Sequence, residues 1–204
     1  MFPNILSEQQ HKLLPFVQQM SREYYLVGGT AIALQIGHRR SIDFDLFKKA
    51  SVRKEKIAKL LSDQGLKWQL LFADSESFHI LLNGVKLTFF QFPFDIPTKL
   101  VFEGIRIPDL LHLASMKSYA LGRRAKWKDY TDLYFLFRDH FAIEEVIDKT
   151  SELFPGLFSP KLFRQQLCYF QDIDYSEEVS FIPGCEVSER DIKSFLIDIA
   201  TLPF

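Results

Sequence analysis

The stretch from residue 24 to residue 47 imposes an order of elements that few folds satisfy. Tyr24-Tyr25-Leu26-Val27 is an apolar run with the composition of a short strand. Gly28-Gly29-Thr30 follows without a spacer, and Ala31 to about Ile36 continues as a helix that ends near Gly37. Ile42-Asp43-Phe44-Asp45-Leu46-Phe47 then alternates apolar and acidic residues with the period of a strand. The chain between turn and acidic run is just long enough for one helix and a return strand, so the two features end up side by side.

Each feature has its own chemistry. In a strand, Asp43 and Asp45 share one face while Ile42, Phe44 and Leu46 point to the core. Same-face carboxylates ~7 Å apart repel by roughly 2–3 kcal/mol at an effective dielectric of ~20. A cation between them removes that cost, and an all-oxygen pair suits Mg²⁺ or Mn²⁺; a solvent-facing polar edge is the alternative. Gly28-Gly29 at a strand end exposes backbone N–H groups at a helix start, where anions bind. Thr30 can cap that helix and donate its hydroxyl to a phosphate. A tight turn alone would use the same glycines. Together, turn and acidic pair form the layout that phosphoryl or nucleotidyl transfer needs.

The rest of the chain divides softly near residue 107. Ser7-Glu8-Gln9-Gln10 has the form of a capping box opening a helix to about Met20. Residues 51–64 read as a basic amphipathic helix closed by Gly65, Trp68–Phe72 and Phe78–Leu82 as strands, and Asn83-Gly84 as a hairpin turn into Val85–Phe92. Pro93, Pro97 and Pro108 mark a transition, after which the periodicity is helical over 109–121, 128–138, 143–153, 159–170 and 188–200. The expectation is an α+β chain: residues 1–107 as a mixed sheet with flanking helices, residues 108–204 as a helical module. Residues 1–128 carry a balance of +8 and residues 129–204 a balance of -9, which points either to an anionic ligand for the first part or to attraction between the two. Cys168 and Cys185 have neither zinc nor disulfide spacing. The start of the chain lacks a signal-peptide pattern, and no run reaches the ~20 apolar residues of a membrane span, so a cytoplasmic protein without a membrane partner is expected.

Other candidates read blandly. Lys117, Arg124 and Lys128 would share one face of a continuous helix and grip phosphate; otherwise Lys128 pairs with Asp132 at i+4. Lys48–Lys59 reads as a solvated helix face, His38 as an exposed helix-end histidine, and His79, His112 and His140 as scattered. Phe89, Phe90, Phe92 and Phe94 read as core rather than as a base-stacking platform.

Val27-Gly28-Gly29-Thr30-Ala31-Ile32-Ala33-Leu34 followed by Arg40-Ser41-Ile42-Asp43-Phe44-Asp45 resembles the first motif of the nucleotidyltransferase superfamily, most closely that of its AbiEii-type toxin family. Lys117-Ser118-Tyr119-Ala120-Leu121-Gly122-Arg123-Arg124 with Lys128-Asp129-Tyr130-Thr131-Asp132-Leu133 resembles that family's later Lys…Arg…Asp motif, so the likeness covers roughly residues 24 to 135. The resemblance implies a nucleotidyltransferase-like fold, metal on Asp43 and Asp45, and a catalytic or phosphate-contacting Lys117. It places Gly28, Gly29, Thr30, Ser41, Arg124 and Asp129 with nucleotide binding. It further implies Mg²⁺ or Mn²⁺ as cofactor, an NTP as substrate, an RNA (such as tRNA) or protein hydroxyl as acceptor, and a cognate antitoxin as partner. One position departs: the family's third carboxylate falls at Thr88, within Lys86-Leu87-Thr88. Either another acid such as Asp129 substitutes, or the protein is a degenerate nucleotide or partner binder; an aminoglycoside-type transferase is a third reading.

Overall fold

The computed structural model describes residues 1–203. These form two compact units: one made of residues 1–36 and 40–108, the other of Gly37–Arg39 together with the chain from Asp109 onward.

The first unit is α+β. Its opening helix, α1 (Glu8–Met20), starts on the expected capping box: the Ser7 hydroxyl accepts from the Gln10 N–H at 3.1 Å, and Gln10 Oε1 accepts from the Ser7 N–H at 2.9 Å. Then come β1 (Tyr25–Val27), α2 (Gly28–Ile36), β2 (Phe44–Lys48), α3 (Lys54–Asp63), β3 (Trp68–Ala73), β4 (Ser77–Leu82) and β5 (Val85–Gln91). Among the described residues these strands form a five-stranded sheet of order β1-β2-β5-β4-β3. β2 and β5 run parallel, the other neighbours antiparallel. Asn83 and Gly84 turn the β4–β5 hairpin with φ of 50° and 79°, the left-handed pair that a two-residue hairpin turn requires. A further hairpin, β6 (Leu100–Phe102) and β7 (Ile105–Ile107), lies in the proline-punctuated stretch. Its three-residue strands are too short to show a period.

Register sorts the sheet into two faces. Leu46 stands opposite Phe89 and Phe89 opposite Phe78; with Phe44, Leu87, Ile80 and Leu82 they are buried and form the core of this unit. Asp45 stands opposite Thr88 and Thr88 opposite His79 on the other face. Lys86 and Phe90 belong to that face, as alternation requires.

One expectation is overturned. β2 begins at Phe44, so Asp43 lies just ahead of the strand, and Ile42 is 70% exposed instead of entering the core. The cause is local. The Asp43 carbonyl accepts from the Thr30 hydroxyl and, at 3.5 Å, from the Gln10 amide. Side chains thus satisfy the acceptor that a strand ladder would otherwise use.

The second unit is helical: α4 (Leu110–Leu121), α5 (Trp127–Asp139), α6 (Ile143–Leu153), α7 (Pro160–Leu167) and α8 (Glu189–Ala200). Asp109, Ser159 and Ser188 cap α4, α7 and α8 by accepting from the backbone N–H three residues on. α4 stops at Gly122, so Lys117, Arg124 and Lys128 do not share a continuous helical face. No helix among the described residues is long and apolar enough to cross a membrane.

Candidate functional site

Gly28 closes β1 and opens α2 with φ of +71°, a conformation that L side chains resist. Space forbids a side chain as well. A Cβ at Gly28 would run into Asp45 Oδ2 and stand 3.1 and 3.3 Å from Asp45 Cγ and Cβ. The bare glycine backbone and the Asp45 carboxylate are therefore in intimate contact, because β1 pairs with β2 so that Val27 is opposite Asp45.

The next residues fix the second acid. Thr30 is 2% exposed. Its hydroxyl donates to the Asp43 carbonyl and lies 2.8 Å from the Ser41 hydroxyl. Thr30 and Ser41, both expected at a phosphate, thus hold the loop that delivers Asp43, and their hydroxyls are engaged within the protein. Asp43 and Asp45 are both half-buried at the start of β2. Among the described residues no group of three His, Cys, Asp or Glu side chains converges on a metal position. Two carboxylates nonetheless fit Mg²⁺, which takes one or two protein carboxylates and completes its octahedron with water and substrate phosphates.

Asp45 opens a polar row across the sheet. Thr88 is its partner on β5 and His79 is the partner of Thr88 on β4. Thr88 is 8% exposed and forms the floor of the row; His79 is half-buried, with Phe72 edge-on at 5.5 Å. Burial lowers the His79 pKa below its usual 6.5 and the Lys86 ammonium adds to this, against the opposing pull of Asp45 and Asp74. Pairing across three strands creates this row, and nothing in the spacing of histidines along the chain reveals it.

The helical unit contains a second constellation. Asp132, fully buried, accepts from Arg39 Nε and Nη2 at 2.6 and 2.9 Å, lies 2.8 Å from His38 Nε2, and pairs with Lys117 Nζ at 2.9 Å. Asp129, also buried, accepts from Lys117 Nζ at 2.6 Å and from Arg124 Nε at 3.0 Å. Burial alone would raise both acids, but Arg39 and Lys117 hold Asp132 well below the usual carboxylate range, and Lys117 and Arg124 lower Asp129. The same contacts keep Lys117 charged despite its burial. Burial, with Arg39 and Lys117, lowers His38 against the opposing hydrogen bond to Asp132.

Two sequence expectations change here. His38 is 1% exposed, because its imidazole meets Asp132 instead of ending a helix in solvent. Lys128 does not pair with Asp132, whose oxygens are taken; it pairs with Glu177, as does Lys126. Asp129 is committed to Lys117 and Arg124. Of the residues expected at the nucleotide, Gly28, Gly29, Thr30, Ser41, Asp43 and Asp45 assemble in the first unit, while Lys117, Arg124 and Asp129 form an ion cluster in the second.

No family model matches the sequence. An uncharacterised protein of Aquifex aeolicus (strain VF5) is 29% identical over 214 residues, covering 94% of this chain and 98% of its own. A solved Helicobacter pylori protein with a provisional nucleotidyltransferase assignment superposes with a TM-score of 0.57 at 18% identity, over 95% of this chain and 94% of its own. MenT4, a nucleotidyltransferase toxin of Mycobacterium tuberculosis H37Rv, superposes with a TM-score of 0.60 at 12% identity, over 93% and 82% of the two chains. The chain thus has an α+β fold similar to that of nucleotidyltransferases, and the glycine turn and acidic pair occupy its β1–α2 junction and the start of β2.

Proposed function

We propose that the protein is a nucleotidyltransferase of the AbiEii type, which moves a nucleoside monophosphate from an NTP to a hydroxyl of RNA or protein. The observation that carries this is the contact of Gly28 with the Asp45 carboxylate, beside the Thr30–Asp43 clasp. It supports a phosphate at the N–H groups of the glycine turn, with the two acids next to it. Asp43 and Asp45 would hold Mg²⁺ or Mn²⁺, which when bound neutralises charge developing on the phosphates. Gly28 and Gly29 contribute backbone donors and no bulk. Thr30 and Ser41 keep the Asp43 loop in place. Within the helical unit, Lys117 and Asp129 hold Arg124, whose side chain is 50% exposed, as a cation suited to phosphate.

A toxin role with a cognate antitoxin is part of the proposal and is supported by the likeness to MenT4. The test incubates the purified chain with each of four [α-³²P]NTPs, Mg²⁺ or Mn²⁺, and bulk tRNA or cell extract. Label should reach an acceptor with wild type and not with Asp45→Asn, and expression in a bacterial host should slow growth in the same pattern. Absence of transfer together with absence of nucleotide-induced thermal stabilisation refutes the proposal. Thr88 beside Asp45 favours a second reading, a protein that binds nucleotide without turnover. It predicts stabilisation by nucleotide that survives Asp43→Asn, with no transfer. Transfer to an aminoglycoside in place of macromolecules would mark a small-molecule enzyme.

A further inference from the structure

Transfer to a hydroxyl requires that the hydroxyl lose its proton, and on the face of the sheet that carries Asp45 few groups can take it. Asp45 lies against the glycine turn. Thr88 is neutral, and Lys86 is a cation that donates only. Asp74, on the turn before β4, is occupied: its Oδ1 accepts from the Glu76 N–H, the Ser77 N–H and the Ser77 hydroxyl. His79 is the remaining titratable group in the row Asp45–Thr88–His79. Strands lie ~4.8 Å apart, so the Asp45 and His79 backbones stand roughly 10 Å apart with Thr88 midway. The short Thr88 side chain stands between the Asp45 carboxylate and the imidazole. Lys86 from β5, Asp45 from β2 and Asp74 are the charged groups that act on the imidazole, and Phe72 from β3 packs on its edge.

Resting on the nucleotidyltransferase reading above, we propose that His79 is the general base of the reaction, a role that Thr88 and the ion cluster of the helical unit cannot fill. The acceptor oxygen forms a bond to the α-phosphorus of the NTP. The bond from that phosphorus to the bridging oxygen breaks, and its electron pair leaves with pyrophosphate. The acceptor's proton passes to a ring nitrogen of His79 and from there to solvent.

The test uses the full chain with [α-³²P]NTPs, Mg²⁺ and bulk tRNA, comparing wild type, Asp45→Asn, His79→Gln and His79→Ala. General-base catalysis is typically worth ~10²–10⁴-fold. His79→Gln should therefore lower kcat at least ~100-fold, with KM for NTP and the nucleotide-induced melting shift within about twofold of wild type. The wild-type rate should fall as pH drops below the usual histidine value of ~6.5, and that limb should vanish in His79→Gln. Added imidazole should restore part of the activity of His79→Ala. The inference is overturned if Asp45→Asn is inactive while His79→Gln keeps wild-type kcat. It is also overturned if His79→Gln raises KM and leaves kcat alone, or if the wild-type profile has no acid limb. A wild type that transfers no more label than Asp45→Asn refutes the parent reading, and this one with it.

Discussion

Asp132→Asn is the sharpest probe of the helical unit. The carboxylate is fully buried, receives two hydrogen bonds from Arg39, meets His38 and pairs with Lys117. The substitution keeps the shape and removes the charge, so Arg39, 4% exposed, and Lys117, 5% exposed, are left with one buried acid, Asp129. Breaking a buried pair from one side costs about 3–5 kcal/mol, a large share of the ~5–15 kcal/mol that holds most domains together. At ~2–4 °C per kcal/mol for a chain of this size, the melting temperature should fall by roughly 6–20 °C. Trp127 opens α5 and is 9% exposed. Urea unfolding followed by fluorescence in a Trp68→Phe background therefore reports on this unit. Asp132→Leu combined with Arg39→Met removes both charges and should recover most of the loss, because paired removal of buried ions is near neutral. A single variant that loses under ~1 kcal/mol, or a double variant no better than the single, would show that the cluster is solvated in solution and the reasoning wrong.

Three further outcomes are expected. Gly28→Ala forces a Cβ at φ +71° into the Asp45 carboxylate and should cost about 1–3 kcal/mol along with nucleotide-induced stabilisation; an alanine variant with wild-type melting and transfer refutes the close contact. Thr30→Val removes the hydroxyl that donates to the Asp43 carbonyl. It should destabilise by about 1–3 kcal/mol and lower transfer further than the folded fraction explains, measured as activity against thermal denaturation. Glu177 resists the upward push of burial because Lys126 and Lys128 bring its pKa down from 4.5 to about 2. Its folded value lies below its unfolded one, so its contribution is present above pH 4.5 and is lost as pH falls toward 2; Glu177→Gln should flatten acid denaturation across that window.

Legibility followed the range of the interactions. Ser7 and Gln10, three residues apart, announce the cap of α1, and Asn83-Gly84 the hairpin, because each depends only on neighbours. The turn at Gly28 was readable for the same reason. The start of β2 was not: alternation favours a strand from Ile42, and the hydrogen bonds that end it at Phe44 come from Thr30 and Gln10. The Asp45–Thr88–His79 row needs the β2–β5–β4 pairing, which no local pattern encodes. His38 read as an exposed helix end because its partner, Asp132, is more than ninety residues away. Lys128 misled by offering an i+4 partner that His38 and Arg39 had already taken.

Gly37–Arg39 belongs to the helical unit, and the chain then spends residues 40–108 in the other unit before returning. By helix content alone the second unit would fold quickly through local contacts. Its Arg39–Asp132 bond instead spans 93 residues of chain, so the unit closes only around a loop that long, and loop-closure entropy must be met before the buried charges are paired. During synthesis Asp132 emerges last of the pair, with Arg39 waiting. A fragment starting at Asp109 would leave Asp132 without its guanidinium, so the helical half is one chemical piece only when three residues from the other side of the sequence come with it.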